Sequence, residues 1–340
     1  MENTSGDRQP IVVISSLGTV LVDCFRFLNE DGSAAASSYN RIGGGGFYAI
    51  VGARIWLQPS QLGIIVDTDP TGHPLEFKNL DRLGKDIWKW RTTSGSVRAC
   101  IQYKNGDRTF KYLNPPSSLT IIDLLSYPSL RPKYLHICGS PDQVMATSSA
   151  LKALEPREGY WKPQLVWEPH PMSCRPDLLE ELKTALTGVK VLSPNHEEAA
   201  ALLSLPIPQT TADYNVITQT FLDMPTLPSE ASVVLRCGKL GACVGTRTHG
   251  IRWVPSYWHA SASEVKEVTG AGNSFLGGLM AGLEVEQGDV YEAAAYGSIS
   301  ASFIVQQSGL PTLGITSEGF ETWNNERPLD RLKQFRARYT

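Results

Sequence analysis

The chain has 340 residues, 41% of them hydrophobic, and a formal net charge of -3 at pH 7. That length and composition can bury a large core, either as one large domain or as a domain with an appended lid. The near-neutral charge, with no dense block of Lys and Arg, argues against a nucleic acid or an anionic membrane as partner.

Targeting signals and metal-binding motifs are not evident in the sequence. The longest apolar runs are shorter than a membrane span and residues 1–10 are polar, so we expect a cytoplasmic protein. The six cysteines are dispersed without a Cys-x-x-Cys pair, and the six histidines share no ligand spacing with them. We therefore expect buried free thiols rather than metal ligands.

The first predicted elements are strands. Residues 11–14 are continuously apolar, as in a strand covered on both faces of a sheet, and residues 17–23 continue the run after an interruption at Gly18. Asp23 closes this run, where it is either a solvated acid at a strand end or part of a binding site. Residues 64–67 predict another buried strand.

Four consecutive glycines, residues 43–46, precede a predicted helix over about 47–56. Packing alone does not explain such a run, so we expect the backbone to approach a ligand closely there. The segment is not a Walker A loop, because no Lys-Ser/Thr pair follows, and its glycine spacing does not fit a dinucleotide-binding fingerprint.

Residues 92–112 alternate between polar and apolar residues on both sides of Asn105-Gly106, which predicts a hairpin with one apolar face. It forms either a lid or an edge of the main sheet. From Tyr134 onward, apolar runs alternate with helical segments, notably 177–185 and 197–203, which is typical of a parallel, doubly wound sheet.

Polar residues and glycines follow several of these strands. Glu168 and His170 come after the strand that ends at Trp167, and Asn195 with Glu198 three residues later has the spacing of a helix capping box. Residues 236–241 form a further strand end, which is punctuated by glycines.

Residues 267–275 join a predicted loop to a helix. Gly270 and Gly272 free the backbone to direct N–H groups at one point, and apolar residues at helical spacing begin at Phe275. The loop is either an ordinary tight turn or an anion cradle at a helix N-terminus. Farther on, residues 290–307 predict a packed helix that Gly309 closes, and residues 327–340 predict a basic, exposed helix in a solvated tail.

The sequence Thr269-Gly270-Ala271-Gly272 followed by position 273 resembles the C-terminal signature of the ribokinase-like (PfkB) family of sugar and nucleoside kinases. The other motifs occur in that family's order from about residue 11 to 309. The glycine run, Trp167-Glu168-Pro169 and Asn273 look closest to a fungal branch related to the yeast maintenance-of-killer protein. The resemblance implies a parallel doubly wound α/β sheet flanked by helices, with a small β-strand lid.

The resemblance also implies a division of the chain and a set of ligands. The α/β domain would span residues 10–316, with lid strands within about 23–44 and 93–115 and a tail from 317 to 340. The cofactor would be Mg-ATP, and the acceptor a small molecule with a hydroxyl group. The lid is also a candidate surface for a homodimer.

Roles for individual residues follow from the same resemblance. The residues implied in catalysis are Asn273 and the cradle Gly270, Ala271 and Gly272. Those implied in nucleotide and metal binding are Asn195, Glu198, Gly238, Lys239, Gly241 and Thr269, with Glu198 organising the magnesium ion. Those implied in substrate binding are Asp23, Gly44, Gly45, Tyr48, Glu168 and His170.

Two positions depart from the family's pattern. The catalytic Asp is replaced by Asn273, whose amide can orient a hydroxyl but cannot accept its proton at neutral pH. A substrate-binding Asn is replaced by Tyr48. The sequence therefore leaves three functions open: an attenuated kinase, a nucleotide- or metabolite-binding pseudokinase, and a repurposed enzyme that uses Tyr48, Glu168 and His170.

Overall fold

The computed structural model describes residues 12–29, 31–35, 38–104, 107–114, 116–158, 161–259 and 262–338. In chain order, the strands are β1 (Val12–Ser16), β2 (Leu21–Leu28), β3 (Tyr39–Gly43), β4 (Leu62–Thr68), β5 (Trp88–Thr92), β6 (Arg98–Lys104), β7 (Asp107–Asn114), β8 (Pro132–Gly139), β9 (Gln164–Pro169), β10 (Val189–Leu192), β11 (Ser232–Arg236), β12 (Ala242–Thr246), β13 (Gly250–Val254), β14 (Leu313–Ile315) and β15 (Glu321–Trp323). The α-helices are α1 (Gly45–Arg54), α2 (Ile121–Leu125), α3 (Pro141–Glu158), α4 (Leu179–Ala185), α5 (His196–Leu202), α6 (Thr211–Leu222), α7 (Ala271–Val285), α8 (Val290–Ile304) and α9 (Pro328–Ala337).

A nine-stranded sheet forms the centre of the molecule, in the order β13-β12-β11-β10-β9-β8-β1-β4-β5. Strands β11, β10, β9, β8, β1, β4 and β5 pair in parallel, and β12 and β13 add an antiparallel edge. Alternate residues of these strands belong to two apolar clusters: Val234 packs in one, and its neighbours Val233 and Leu235 in the other. Because side chains alternate between the faces of a strand, the sheet is covered on both sides, as the continuous apolar runs predict.

A four-stranded sheet in the order β3-β2-β6-β7 forms the lid. Strands β6 and β7 pair with each other in antiparallel fashion, and β6 pairs in parallel with β2. The predicted hairpin is thus part of a lid and not an edge of the main sheet. Its predicted turn, Asn105-Gly106, lies outside the described residues.

The expected continuation of the first strand through residues 17–23 is wrong. Strand β1 ends at Ser16, and Leu21 begins the lid strand β2. The chain turns at Gly18, where a Cβ atom would lie 2.7 Å from the backbone nitrogen of Gly46. This close contact between two glycines brings the start of α1 against the end of β1.

The helix near the end of the described chain, α9, is packed against the body of the protein. The expectation of an exposed helix, which rested on its charged residues, is wrong. Leu332 and Phe335 of α9 are 2% and 3% exposed, and the Arg331 guanidinium lies 3.7 Å from the ring centre of Phe303. One apolar stripe on an otherwise charged helix is enough to bury it against α8. Placing the domain boundary at residue 316 stays a prediction. In the part of the chain that the structure describes, no helix combines the length and the apolarity that crossing a bilayer requires.

Candidate active site

A cleft of about 1650 Å³ opens where the parallel strands end at their carboxyl edge, beneath the lid. Its walls come from the segments that follow β1, β8, β9, β10 and β11 and from the N-terminal turns of α1 and α7. Ligands of open α/β sheets bind in this position. All of the predicted site residues line the cleft: Asp23, Gly44, Gly45, Tyr48, Glu168, His170, Asn195, Glu198, Gly238, Lys239, Gly241, Thr269, Gly270, Ala271, Gly272 and Asn273.

The loop before α7 has the backbone geometry of an anion cradle. Gly270 caps the helix with φ of 83°, a left-handed conformation that is unfavourable for residues with a side chain. Among the described residues, no backbone carbonyl accepts a hydrogen bond from the N–H groups of Gly272 or Asn273. These donors and the positive end of the helix dipole are therefore available to an anion in the cleft.

Tyr48 supports this cradle from below. Its ring packs directly on Gly270, where a Cβ atom would collide with the ring. Tyr48 is only 2% exposed. Burial raises the pKa of Tyr48 to about 12, so the phenol is neutral at physiological pH. The aromatic residue in place of a polar one thus fills space beneath the loop.

A buried network of charged and polar groups lies beside the cradle. Glu168 accepts hydrogen bonds from Arg236 Nη1 at 2.7 Å, Asn273 Nδ2 at 2.6 Å and His136 Nε2 at 3.3 Å. Burial alone would raise the pKa of Glu168, but the Arg236 cation and the donors His136 and Asn273 outweigh it and hold the pKa at about 2. Glu168 is consequently a stable anion and a weak base.

Ser16, His136 and Glu168 follow one another in the order of a hydrolase triad. Ser16 Oγ lies 2.9 Å from His136 Nδ1, and both residues are 0% exposed. Neither lines the cleft, so no substrate carbonyl can reach the serine. The three residues form a structural relay that ends at Glu168 and carry no nucleophilic chemistry.

Asn195 and Glu198 form the capping box that their spacing predicts. Asn195 Oδ1 accepts from the Glu198 N–H at 2.8 Å, and Glu198 Oε2 accepts from the Asn195 N–H at 2.7 Å. Burial raises the pKa of Glu198 to about 7, although Arg236, 3.2 Å away through Nη2, opposes this rise. Capping does not exclude a second role, because both residues also line the cleft.

The oxygen donors of this corner fit a magnesium ion bound together with phosphate groups. Mg²⁺ usually takes one or two protein carboxylates and completes its shell with water and phosphate oxygens. Glu198 supplies one such carboxylate beside the open N–H groups of the cradle. Within the described ranges, no group of three or more His, Cys, Asp or Glu side chains converges as a self-sufficient metal site.

His170 acts locally in the structure. Its Nδ1 accepts a hydrogen bond from the Met172 N–H at 3.2 Å, and burial lowers its pKa. Asp23 is 5% exposed and faces the cleft from β2 of the lid. Asp23 and His170 therefore bring to the cleft one lid carboxylate and one imidazole that caps its own turn.

Sequence reasoning missed Arg236, His136 and Cys138 as members of the network. A signal was present for His136, which is a polar residue inside a buried apolar strand and lies directly opposite Ser16 in the register of β1 and β8. Cys138 likewise lies opposite Glu168 in the register of β8 and β9, and burial raises the pKa of its thiol. The apolar lining residues Trp258, Ala301 and Val305 were also not predicted.

Comparison with known proteins gives one family. The model of the pfkB family of carbohydrate kinases matches residues 16–315. The uncharacterized protein C16C9.01c of Schizosaccharomyces pombe is 32% identical over 316 residues, covering 86% of each chain, and protein MAK32 of Saccharomyces cerevisiae is 28% identical over 314 residues, covering 86% of this chain and 84% of its own. Ribokinase from Giardia lamblia is similar in structure, with a TM-score of 0.71 and 16% identity over 98% of this chain and 100% of that one.

Proposed function

Because the chain belongs to the pfkB family of carbohydrate kinases, we propose that it is an ATP-dependent phosphotransferase acting on a hydroxyl group of a small sugar- or nucleoside-like molecule. The observation that carries the proposal is the cradle at the start of α7. Its open N–H groups face the same cleft as Asp23 on the lid and Glu198 on α5. The proposed positions of the nucleotide, the metal ion and the hydroxyl-bearing substrate therefore share one cleft.

In this proposal the residues divide the cleft between them. Gly270, Ala271 and Gly272 form the cradle, in which the open N–H groups of Gly272 and Asn273 hold the phosphoryl oxygens, since the Ala271 N–H donates to the Val268 carbonyl at 3.1 Å. Asn195 and Glu198 arrange the magnesium ion. The nucleotide lies along the segment that follows β11 and beside the cradle, with contacts from Gly238, Lys239, Gly241 and Thr269. Asp23, Gly44 and Gly45 bind the acceptor molecule, whereas Tyr48, Glu168 and His170 line the same cleft but are engaged in contacts within the protein.

Catalysis would rest on position and electrostatics. Magnesium, when bound, neutralises charge on the phosphate oxygens. Asn273 orients the attacking hydroxyl but takes no proton from it, and general-base assistance is typically worth roughly 10²–10⁴-fold in rate. We therefore expect a slow kinase whose phosphate cradle is intact.

A pseudokinase that binds nucleotide or metabolite is the second candidate. Asn273 in place of an acid favours it, as does Tyr48, whose ring is committed to packing under Gly270. The geometry gives less support to a repurposed enzyme, since Glu168 is a weak base within its ion pairs and His170 caps a turn.

Three coarser properties are proposals as well. We propose a cytoplasmic location, a domain of residues 10–316 and a homodimer through the lid. The lid carries exposed apolar side chains that a second copy could cover, with Tyr39 41% and Leu113 55% exposed.

Calorimetry with ATP or ADP and Mg²⁺ tests the nucleotide site, and a phosphotransfer screen against sugars and nucleosides tests the reaction. We expect binding, and ADP release with at least one acceptor. Binding without any transfer would support the pseudokinase instead. Absence of binding at millimolar nucleotide would overturn both candidates.

A further inference from the structure

We propose that Glu168 is a positioning residue that fixes the amide of Asn273, so that Asn273 Oδ1 faces the acceptor hydroxyl as a hydrogen-bond acceptor. The inference rests on the proposed function for its kinetic consequence. Its structural part, the orientation of one amide, is independent of whether phosphate is transferred.

The direction of the hydrogen bond follows from charge. Glu168 is ionised and offers oxygen lone pairs alone, so the group that approaches it must be a donor. The amide of Asn273 therefore turns its Nδ2 group to Glu168 Oε2, 2.6 Å away. Two further donors, Arg236 and His136, approach the same carboxylate and prevent it from rotating away.

The other end of the amide is left open to the cleft. Among the described residues, no hydrogen bond reaches Asn273 Oδ1, and it is not one of the buried polar atoms without a partner. Asn273 lines the cleft, so this oxygen is exposed where an acceptor molecule would lie. A carbonyl oxygen accepts a hydrogen bond from an alcohol, which selects for a hydroxyl as the reacting group.

The carboxylate is itself held from behind by the relay. Ser16 Oγ accepts a hydrogen bond from the Gly18 N–H at 2.9 Å, and its hydroxyl can then donate to His136 Nδ1. This leaves the Nε2–H group of His136 to donate to Glu168. A chain of buried hydrogen bonds thus runs from the Gly18 N–H through Ser16 and His136 to Glu168, and it fixes the carboxylate that orients Asn273.

Gly45 closes the remaining side of the amide. A Cβ atom at residue 45 would lie 3.2 Å from Asn273 Nδ2 and 3.0 Å from Cys138 Sγ. The glycine run therefore lets the backbone of α1 approach the amide, and the side chain at 273 has little room to adopt another rotamer.

The substitution Glu168→Gln should reverse the amide. The introduced glutamine must turn its carbonyl oxygen to the Arg236 cation, which places its NH₂ group against residue 273. Asn273 would then offer Oδ1 to that group and turn Nδ2 into the cleft, presenting a donor where the substrate hydroxyl needs an acceptor.

The test combines NMR and kinetics on the full chain. Side-chain amide signals of Asn273 are assigned by their loss in Asn273→Asp, and their exchange with water is compared between the wild type and Glu168→Gln. We expect at least tenfold faster exchange in the variant, because Nδ2 then faces solvent. Equal exchange rates in the two proteins would overturn the proposal.

Where phosphotransfer is measurable, Glu168→Gln should lower kcat/KM for the acceptor at least tenfold while the Kd for Mg-ATP changes less than twofold. Glu181→Gln is the matched control, since it removes an exposed charge on α4 outside the cleft and should change neither value. If Glu168→Gln does not fold, Glu168→Asp keeps the charge and should retain slow amide exchange. Rapid exchange in Glu168→Asp would refute the orientation by charge.

Discussion

Replacing Asn273 by Asp restores the acid that the family signature has at this position, yet we expect the introduced carboxyl group to be protonated, and so unable to accept a proton, below about pH 7. The new carboxylate would lie against Glu168 Oε2, which Asn273 now contacts at 2.6 Å. Two charges about 4 Å apart at an effective dielectric constant of about 20 repel by about 4 kcal/mol, or about 3 pK units. Since Arg236 and His136 keep Glu168 ionised, the shift falls on the introduced aspartate, whose pKa would rise from about 3.9 to about 7.

The helix N-terminus opposes this rise only in part, because a carboxylate in the first turn gains about 0.3–1 kcal/mol. The double variant Asn273→Asp/Glu168→Gln removes the repulsion and lets the introduced glutamine donate its amide to the introduced aspartate. The pKa of that aspartate should return to near the ordinary value of about 4.

The assay is acceptor kcat/KM between pH 5.5 and 9, with the Kd for Mg-ATP measured alongside. For Asn273→Asp we expect activity that rises with pH through about 7, and for the double variant a flat profile above pH 6 with a gain of up to about 10²-fold over the wild type. A flat profile for Asn273→Asp, as active at pH 6 as the double variant, would refute the coupling between positions 168 and 273.

The remaining predictions concern the lid, the capping glutamate and the helix packing. Arg41 of β3 donates to Glu267 at 2.6 and 2.8 Å and holds the pKa of Glu267 at about 2. Glu267→Gln should therefore loosen the lid, raise the acceptor KM severalfold and lower the melting temperature at pH 7, and an unchanged KM would contradict this role. Glu198→Gln should raise the melting temperature of the metal-free protein at pH 8 but not at pH 4.5. Because burial raises the pKa of Glu198 in the folded protein to about 7, the folded state loses stability as pH rises from about 4.5 to 7 and the side chain ionises. An equal effect of the substitution at both pH values would contradict this. Gly277→Ala places a methyl group against the Ala49 carbonyl oxygen and should destabilise the fold by about 1–3 kcal/mol in urea denaturation, whereas a neutral result would refute close packing of α1 on α7.

Sequence periodicity predicted the fold well because both faces of the central sheet are covered. The continuous apolar runs at β8, β9 and β11 do not fit a sheet with one face in solvent, because such a strand would alternate polar and apolar residues. Strand β5 was not predicted, since Trp88–Thr92 carries a Lys and an Arg at an edge of the sheet, where polar side chains are tolerated. Helix α9 misled in the same way, because four of its ten residues are charged and one of these, Arg331, is itself buried.

The glycines and the Asn195–Glu198 pair were predictable because their signals are local. A capping box involves residues three apart, and a glycine reports the backbone at its own position. The pairing of Glu168 with Arg236 and Asn273 joins three distant segments, and one sequence contains no trace of such a contact. The sequence therefore showed that position 273 lacks an acid, but it did not show that the carboxylate of Glu168 lies beside that position.

The construction of the lid from two separate parts of the chain has a consequence for how the protein folds. Strands β2 and β6 pair in parallel, while α1, β4 and β5 lie between them in the chain and belong to the main body. A parallel pair of this kind closes a long loop of intervening chain, and contacts distant in sequence form slowly. The eight tryptophans all lie outside the lid strands. During refolding, tryptophan fluorescence would therefore report the central sheet, and the lid would close over the cleft after that signal is complete.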